Sequence, residues 1–157
     1  MFEEKLNEIY NKIANTLNEM IPELWKKIYM YGEVVDGAKE AYFYYYPEGE
    51  NQPIYSQDIP KLFNISKTEY YNVLLELVDN ITELREEFKN NDLEPWTNLT
   101  FILENTGEFN IDYDYTDLSE TDPIEQHTVW EYKYLNIVPE DARYKKFIDR
   151  YENSKQK

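Results

Sequence analysis

Asp112, Asp114 and Asp117 lie close together in the chain, with Glu104 and Glu108 just ahead of them, and oxygen donors so grouped raise the question of a metal site. Mg²⁺ and Ca²⁺ need several oxygen ligands around one ion. Asp112 and Asp114 on a straight strand stand too far apart to share an ion easily, and the segment lacks the glycine of an EF-hand loop. Two carboxylates a few ångströms apart would suffice for glycoside hydrolysis, yet nothing in the spacing selects a pair. The only histidine, His127, falls on a helical pattern with Trp130 and Tyr134, where packing or capping accounts for it. Neither a Ser-His-Asp set nor a multi-histidine metal site can be built around a single imidazole. With no cysteine there is no thiolate chemistry, and Gly32, Gly37, Gly49 and Gly107 are isolated, so no phosphate-binding glycine motif exists. No catalytic residue, metal or cofactor is expected. A carboxylate or divalent-metal hydrolase stands as the enzymatic alternative.

The acids suggest a different use. From Asn90 to Tyr132 there is no Lys or Arg, although Asp and Glu are frequent throughout that stretch. Within it, residues 108–115 (Glu-Phe-Asn-Ile-Asp-Tyr-Asp-Tyr) alternate polar with apolar. Strand side chains point to opposite faces in turn, so Glu108, Asp112 and Asp114 share one face and the apolar residues the other. Same-face neighbours lie about 7 Å apart, a pitch comparable to that of phosphates along a nucleic-acid strand. Such a row could occupy the cationic groove of a nuclease. An acidic face that is merely solvated is the plain alternative, but ordinary solvated surfaces mix both signs of charge.

The 16 tyrosines carry a similar ambiguity. Tyrosine suits binding hot spots and also fills mixed cores. Tyr42, Tyr44, Tyr45 and Tyr46 cannot all point inward from one strand, so some of them, Tyr44 and Tyr46 among the candidates, are expected at the surface, with Tyr113 and Tyr115 in the core.

These residues need a scaffold. Phe2, Leu6, Ile9, Ile13, Leu17 and Met20 recur at helical spacing until Pro22. Residues 25–35 and 41–46 read as a hairpin around Asp36-Gly37, followed by a proline-rich loop or irregular edge over 47–60. Ser66-Lys67-Thr68-Glu69 is a capping box, and Tyr70, Leu74, Leu77, Ile81, Leu84 and Phe88 carry a long helix to Asn90 or Asn91. Residues 96–105 and 108–115 form a second hairpin around Thr106-Gly107. Asp122-Pro123 opens a short helix to about Leu135, with Asn136 as a left-handed cap, and a last helix runs to about Tyr151. The order predicts an α+β fold: a four-stranded antiparallel sheet made of two hairpins, packed against two long helices, with short C-terminal helices. Residues 1–153 are expected as a single domain and 154–157 as a frayed tail.

A net charge of −16 repels nucleic acid and anionic lipid and attracts basic protein surfaces. At 41% hydrophobic residues, the chain nonetheless has ample material for a core. The Met1-Phe2-Glu3-Glu4 start lacks the basic region and apolar run of a signal peptide, and no segment has the apolar length to span a bilayer, so a cytoplasmic protein is expected.

The opening run from Phe2 to Tyr10, the early Trp25, the strand Phe109–Tyr115 and the segment Trp130–Leu135 together resemble the YezG-type immunity proteins along the full chain. That resemblance implies a bacterial antitoxin, which in this family neutralises LXG nuclease toxins exported by type VII secretion systems by binding their nuclease domain in the producing cell. It implies no catalysis and transfers no catalytic residue. Where the family pattern commonly has glycine this chain has Asn136, which also tolerates a left-handed cap.

The expected function is therefore binding and neutralisation of a cognate DNase toxin by Glu104, Glu108, Asp112, Asp114 and Asp117 with Tyr44 and Tyr46. No direct nucleic-acid or membrane contact is expected, and the free protein is expected to be a monomer. An acidic adaptor or chaperone for a basic secreted cargo is the non-enzymatic alternative.

Overall fold

Apolar residues at helical spacing and the proline at position 22 together define the first element. A computed structural model describes residues 1–156, and in it α1 spans Phe2–Met20, burying Ile9, Ile13 and Leu17. Ile21, which precedes the proline, is extended at φ −100°, ψ 117°, as the proline ring requires of its neighbour. The remaining elements are β1 Trp25–Val35, β2 Ala38–Pro47, β3 Ile54–Tyr55, α2 Ile59–Leu62, α3 Lys67–Asn90, β4 Asn98–Glu104, β5 Phe109–Asp114, α4 Pro123–Leu135 and α5 Ala142–Ser154. The chain divides into two compact units, Met1–Thr116 and the residues from Asp117 onward.

In the first unit the sheet has five strands, not four, in the order β3-β2-β1-β4-β5, with every pairing antiparallel. The additional strand comes from the proline-rich stretch, where Tyr55 and Ile54 pair with Tyr44 and Tyr45. Two residues that directly follow Pro53 carry no periodicity that a sequence could display, and their pairing depends on a strand already in place. A 3₁₀ turn at Ser56–Asp58 and the short α2 follow it.

One sheet face carries Ile28, Met30, Val34, Phe43, Tyr45, Leu99, Phe101 and Leu103, which join Ile9, Ile13, Leu17, Leu77, Ile81, Leu84 and Phe88 of α1 and α3 in one core. At the centre Gly32 leaves room for α3: a methyl group there would stand 3.0 Å from the Cδ1 of Ile81. The amide of Glu69 donates to the Ser66 hydroxyl at 3.3 Å, capping α3 as the sequence predicts. Asp36-Gly37 and Thr106-Gly107 turn the two long hairpins, with Gly37 at φ 82° and Gly107 at φ 96°, a region glycine enters without steric penalty.

In the second unit α4 opens on the Asp122 carboxylate, which accepts from the Ile124 amide at 2.9 Å, and ends at Asn136 in the left-handed conformation, φ 57°. The α5 helix opens on Asp141, whose carboxyl the Arg143 guanidinium and amide hold down at about 2. Arg150 pairs with Glu125 at 2.7 Å, tying α5 to α4. The helix continues to Ser154, and the amides of Lys155 and Gln156 bond back to the preceding turn. Lys157, the end of the expected tail, lies outside the described residues. Among the described residues no helix is long and apolar enough to cross a membrane.

Candidate functional site

On β5 the alternation read from the sequence holds. Phe109, Ile111 and Tyr113 fall on the helix side: Ile111 and Tyr113 pack against the core, the Phe109 ring stacks on Phe101, and the Tyr113 and Tyr10 hydroxyls meet at 2.7 Å. Burial, followed by the Tyr10 hydroxyl, pushes the Tyr113 phenol well above its ordinary value. Asn110, Asp112 and Asp114 point to the opposite side and are exposed. The Asp114 carboxylate accepts from the Asn98 side chain at 2.8 Å and from the Thr116 hydroxyl at 2.9 Å, so it is held in place.

Cross-strand register assembles the rest of this face. One row reads Glu40, Glu33, Asn98, Asp114 across β2, β1, β4 and β5, and the next reads Tyr42, Tyr31, Thr100, Asp112. Glu33 and Glu40 carry no signal in the sequence, since each stands alone on its own strand and only the register aligns it with Asp114. The Tyr31 hydroxyl donates to Glu33 at 2.7 Å, and burial together with that carboxylate raises the Tyr31 phenol far above its ordinary value. Partial burial, with Glu33 nearby, raises the Glu40 carboxyl. This corner of the sheet therefore resists further negative charge and is suited to meet a positive group.

Glu104 and Glu108 sit at the other end of β4 and β5, both exposed, with the Glu104 amide donating to the Glu108 carbonyl at 2.8 Å. Glu104 pairs in register with Lys27. Contact with the Tyr29 hydroxyl, and then the Glu104 charge, raises the Lys27 amine. Lys26, Lys27, Tyr29, Tyr46, Asn51, Glu104 and Asn105 line a shallow cavity of about 420 Å³. Glu104 is thus matched by a cation.

The tyrosines are arranged differently from expectation. None of Tyr42, Tyr44, Tyr45 and Tyr46 is fully exposed. Tyr45 enters the helix-side core and donates to Glu23 at 2.7 Å. Tyr42 and Tyr44 lie on the other face yet are only 2% and 6% exposed, because rings pack on rings: Tyr42 stacks on Tyr31 at 5.0 Å and Tyr44 on Tyr55 at 4.8 Å. Tyr46 is half-buried against Tyr29. Tyr115, expected in the core, is 45% exposed, since β5 ends at Asp114 and the alternation no longer constrains it.

In the second unit the exposed Asp117 accepts from the Ser119 amide at 2.9 Å, and that bond lowers its carboxyl. His127 lies on α4, where burial depresses its imidazole while Glu131 pulls the other way. Among the described residues no group of His, Cys, Asp and Glu converges as a metal site would require.

Comparison with known proteins gives this surface a context. A family model described as "Immunity protein YezG-like" matches residues 6–149. An Immunity protein YezG from Bacillus spizizenii is 42% identical over 94% of this chain and 92% of its own length. An Immunity protein YezG from Bacillus subtilis (strain 168) is 44% identical over 93% of this chain and 98% of its own length. The Type VII secretion system protein EsaG from Staphylococcus aureus is 40% identical over 88% of this chain and 86% of its own length. Agreement over nearly the whole of each chain places the protein among the immunity proteins, a class whose name denotes protection against a toxin. Within that class, the chain belongs to the YezG-like family.

Proposed function

We propose that this chain is a cytoplasmic antitoxin that binds and neutralises a nuclease, a DNase toxin exported by type VII secretion, without catalysis of its own. The observation that carries the reading is the exposed Asp112 and Asp114 on one face of β5, within a stretch from Asn90 to Tyr132 free of Lys and Arg, with Asp114 aligned in register with Glu33 and Glu40 of the neighbouring strands. A nuclease must present cations where nucleic acid phosphates bind, and a fixed array of carboxylates competes for those cations. Glu108 adds negative charge and Glu104, beside Lys27, a further carboxylate, and the half-buried Tyr46 offers a ring at the edge of the face; Asp117 contributes an exposed carboxylate of the second unit. Long-range attraction accelerates the encounter, and close contacts then set the lifetime of the complex. Tyr44, by contrast, is spent on packing against Tyr55.

Residues 1–153 are taken to act together as one immunity domain. A tagged chain incubated with source-cell lysate at low and moderate salt should capture a basic nuclease, more strongly at low salt. Purified with its partner, the chain should abolish DNA degradation at stoichiometric amounts. A captured partner that stays fully active would make the protein a carrier of basic cargo, and failure to retain any nuclease would end the antitoxin reading.

A further inference from the structure

The two edges of the five-stranded sheet are built differently. At one edge β3 is two residues long and follows Pro53, and the part of β2 beyond it carries Lys39. Short strands, proline and lysine are devices that keep an edge from recruiting another strand. At the other edge β5 runs for six residues, Phe-Asn-Ile-Asp-Tyr-Asp, with no Pro, Gly or Lys, and it pairs with β4 without a register shift.

The outward backbone groups of β5 follow from the hydrogen bonds at the ends of the ladder. The Glu104 amide donates to the Glu108 carbonyl at 2.8 Å, so the even-numbered residues of β5 turn their backbone groups toward β4. The Val34 amide to the Thr97 carbonyl and the Asn105 amide to the Lys26 carbonyl, both 3.0 Å, turn the odd-numbered residues of β4 toward β1 and fix the same parity independently. The N–H and C=O groups of Phe109, Ile111 and Tyr113 therefore point away from the sheet, and among the described residues no backbone hydrogen bond reaches them.

A strand added here would run its side chains beside Asn110, Asp112 and Asp114 on one face and beside Phe109, Ile111 and Tyr113 on the other. A second copy of this chain fits poorly. Antiparallel self-pairing about Ile111 would set Asp114 opposite Glu108 and bring together two chains that each carry −16. A segment with Lys or Arg alternating with apolar residues fits both faces. We propose that β5 is a docking edge on which such a basic, extended segment of the partner protein adds as a further antiparallel or parallel strand. This deepens the antitoxin reading by naming how the partner is held.

The test uses the full, ¹⁵N-labelled chain and amide hydrogen exchange, with an octapeptide of alternating lysine and valine as probe and one of alternating glutamate and valine as control. The amides of Phe109, Ile111 and Tyr113 should exchange fast in the free chain and at least about tenfold more slowly with the lysine peptide alone. Ile111→Pro removes one outward amide without breaking the ladder to β4 and should weaken peptide binding. Ile111→Ala loses comparable packing, keeps the amide, and should bind as the parent does. Exchange at these amides unchanged by millimolar lysine peptide would overturn the proposal, as would equal behaviour of the two Ile111 variants. Protection in the free chain that grows with protein concentration would also overturn it, in favour of self-pairing. If Ile111→Pro fails to fold, the exchange data on the parent chain still decide. A silenced nuclease complex in which these amides remain fast would overturn edge docking and leave the antitoxin reading standing; a protected edge on a fully active nuclease would do the reverse.

Discussion

Gly32 sits at the centre of β1, under α3, and the structure allows the effect of filling that space to be worked out. A methyl group added by Gly32→Ala would stand 3.0 Å from Ile81 Cδ1 and 3.3 Å from its Cγ2, in a core where Ile81 is 1% exposed. Overpacking of this kind costs about 1–3 kcal/mol. Replacing a strand glycine by alanine returns about 0.4–1 kcal/mol by restricting the unfolded chain. The net expectation is a loss of about 1–2 kcal/mol. Ile81→Val removes the nearest atom, Cδ1, and alone should cost about 0.5–1.5 kcal/mol. If the two act independently, the double variant loses about 2–3 kcal/mol; if the methyl and Cδ1 compete for the same space, it loses only about 1 kcal/mol. Urea unfolding followed by tryptophan fluorescence, with equal slopes required across the four proteins, measures each term. Additive losses, or a Gly32→Ala variant more stable than the parent, would refute the close seating of α3 on β1.

Other consequences can be checked more briefly. Replacing Asp112, Asp114 and Asp117 together by Asn should slow association with the captured toxin several-fold and flatten its salt dependence; stopped-flow rates unchanged across salt would remove the acidic face from the mechanism. Ser66→Ala removes the hydroxyl that caps α3 and should lower stability by about 1 kcal/mol, whereas Ser66→Asp should retain most of it, as read by thermal unfolding. For Glu83, slight burial opposes ionisation, but hydrogen bonds and ion pairs from Lys12 and Lys5 outweigh it and leave the carboxyl below 4.5. Its contribution is therefore complete above that value and is lost as the pH falls through the lowered one, so Glu83→Gln should make acid unfolding between about pH 5 and 3 less steep. Burial keeps the His127 imidazole below 6.5, so the unfolded chain takes up its proton first and stability falls on acidification through that value. His127→Gln should reduce that loss, and an NMR titration that places His127 above 6.5 would contradict it.

Much of the scaffold is legible without coordinates because it rests on near neighbours in the chain. The helical spacing from Phe2 to Met20, the Ser66-to-Glu69 box, the glycine turns at positions 37 and 107 and the alternation along β5 are all local rules, and each element stands where those rules put it. The segments that resemble YezG-type immunity proteins are likewise linear, and the family match runs from residue 6 to residue 149.

What the tertiary structure decided is which distant residues meet. Glu33 and Glu40 are lone acids on their strands until pairing aligns them with Asp114. Tyr42 and Tyr44 obey the strand alternation and face away from the helices, yet they are buried because Tyr31 and Tyr55 arrive from other strands to pack on them. Ile54 and Tyr55 become a strand only because β2 offers open backbone groups beside them. In each case the deciding energy is a contact across the sheet, set by register, and register depends on the whole buried face rather than on any short stretch of sequence.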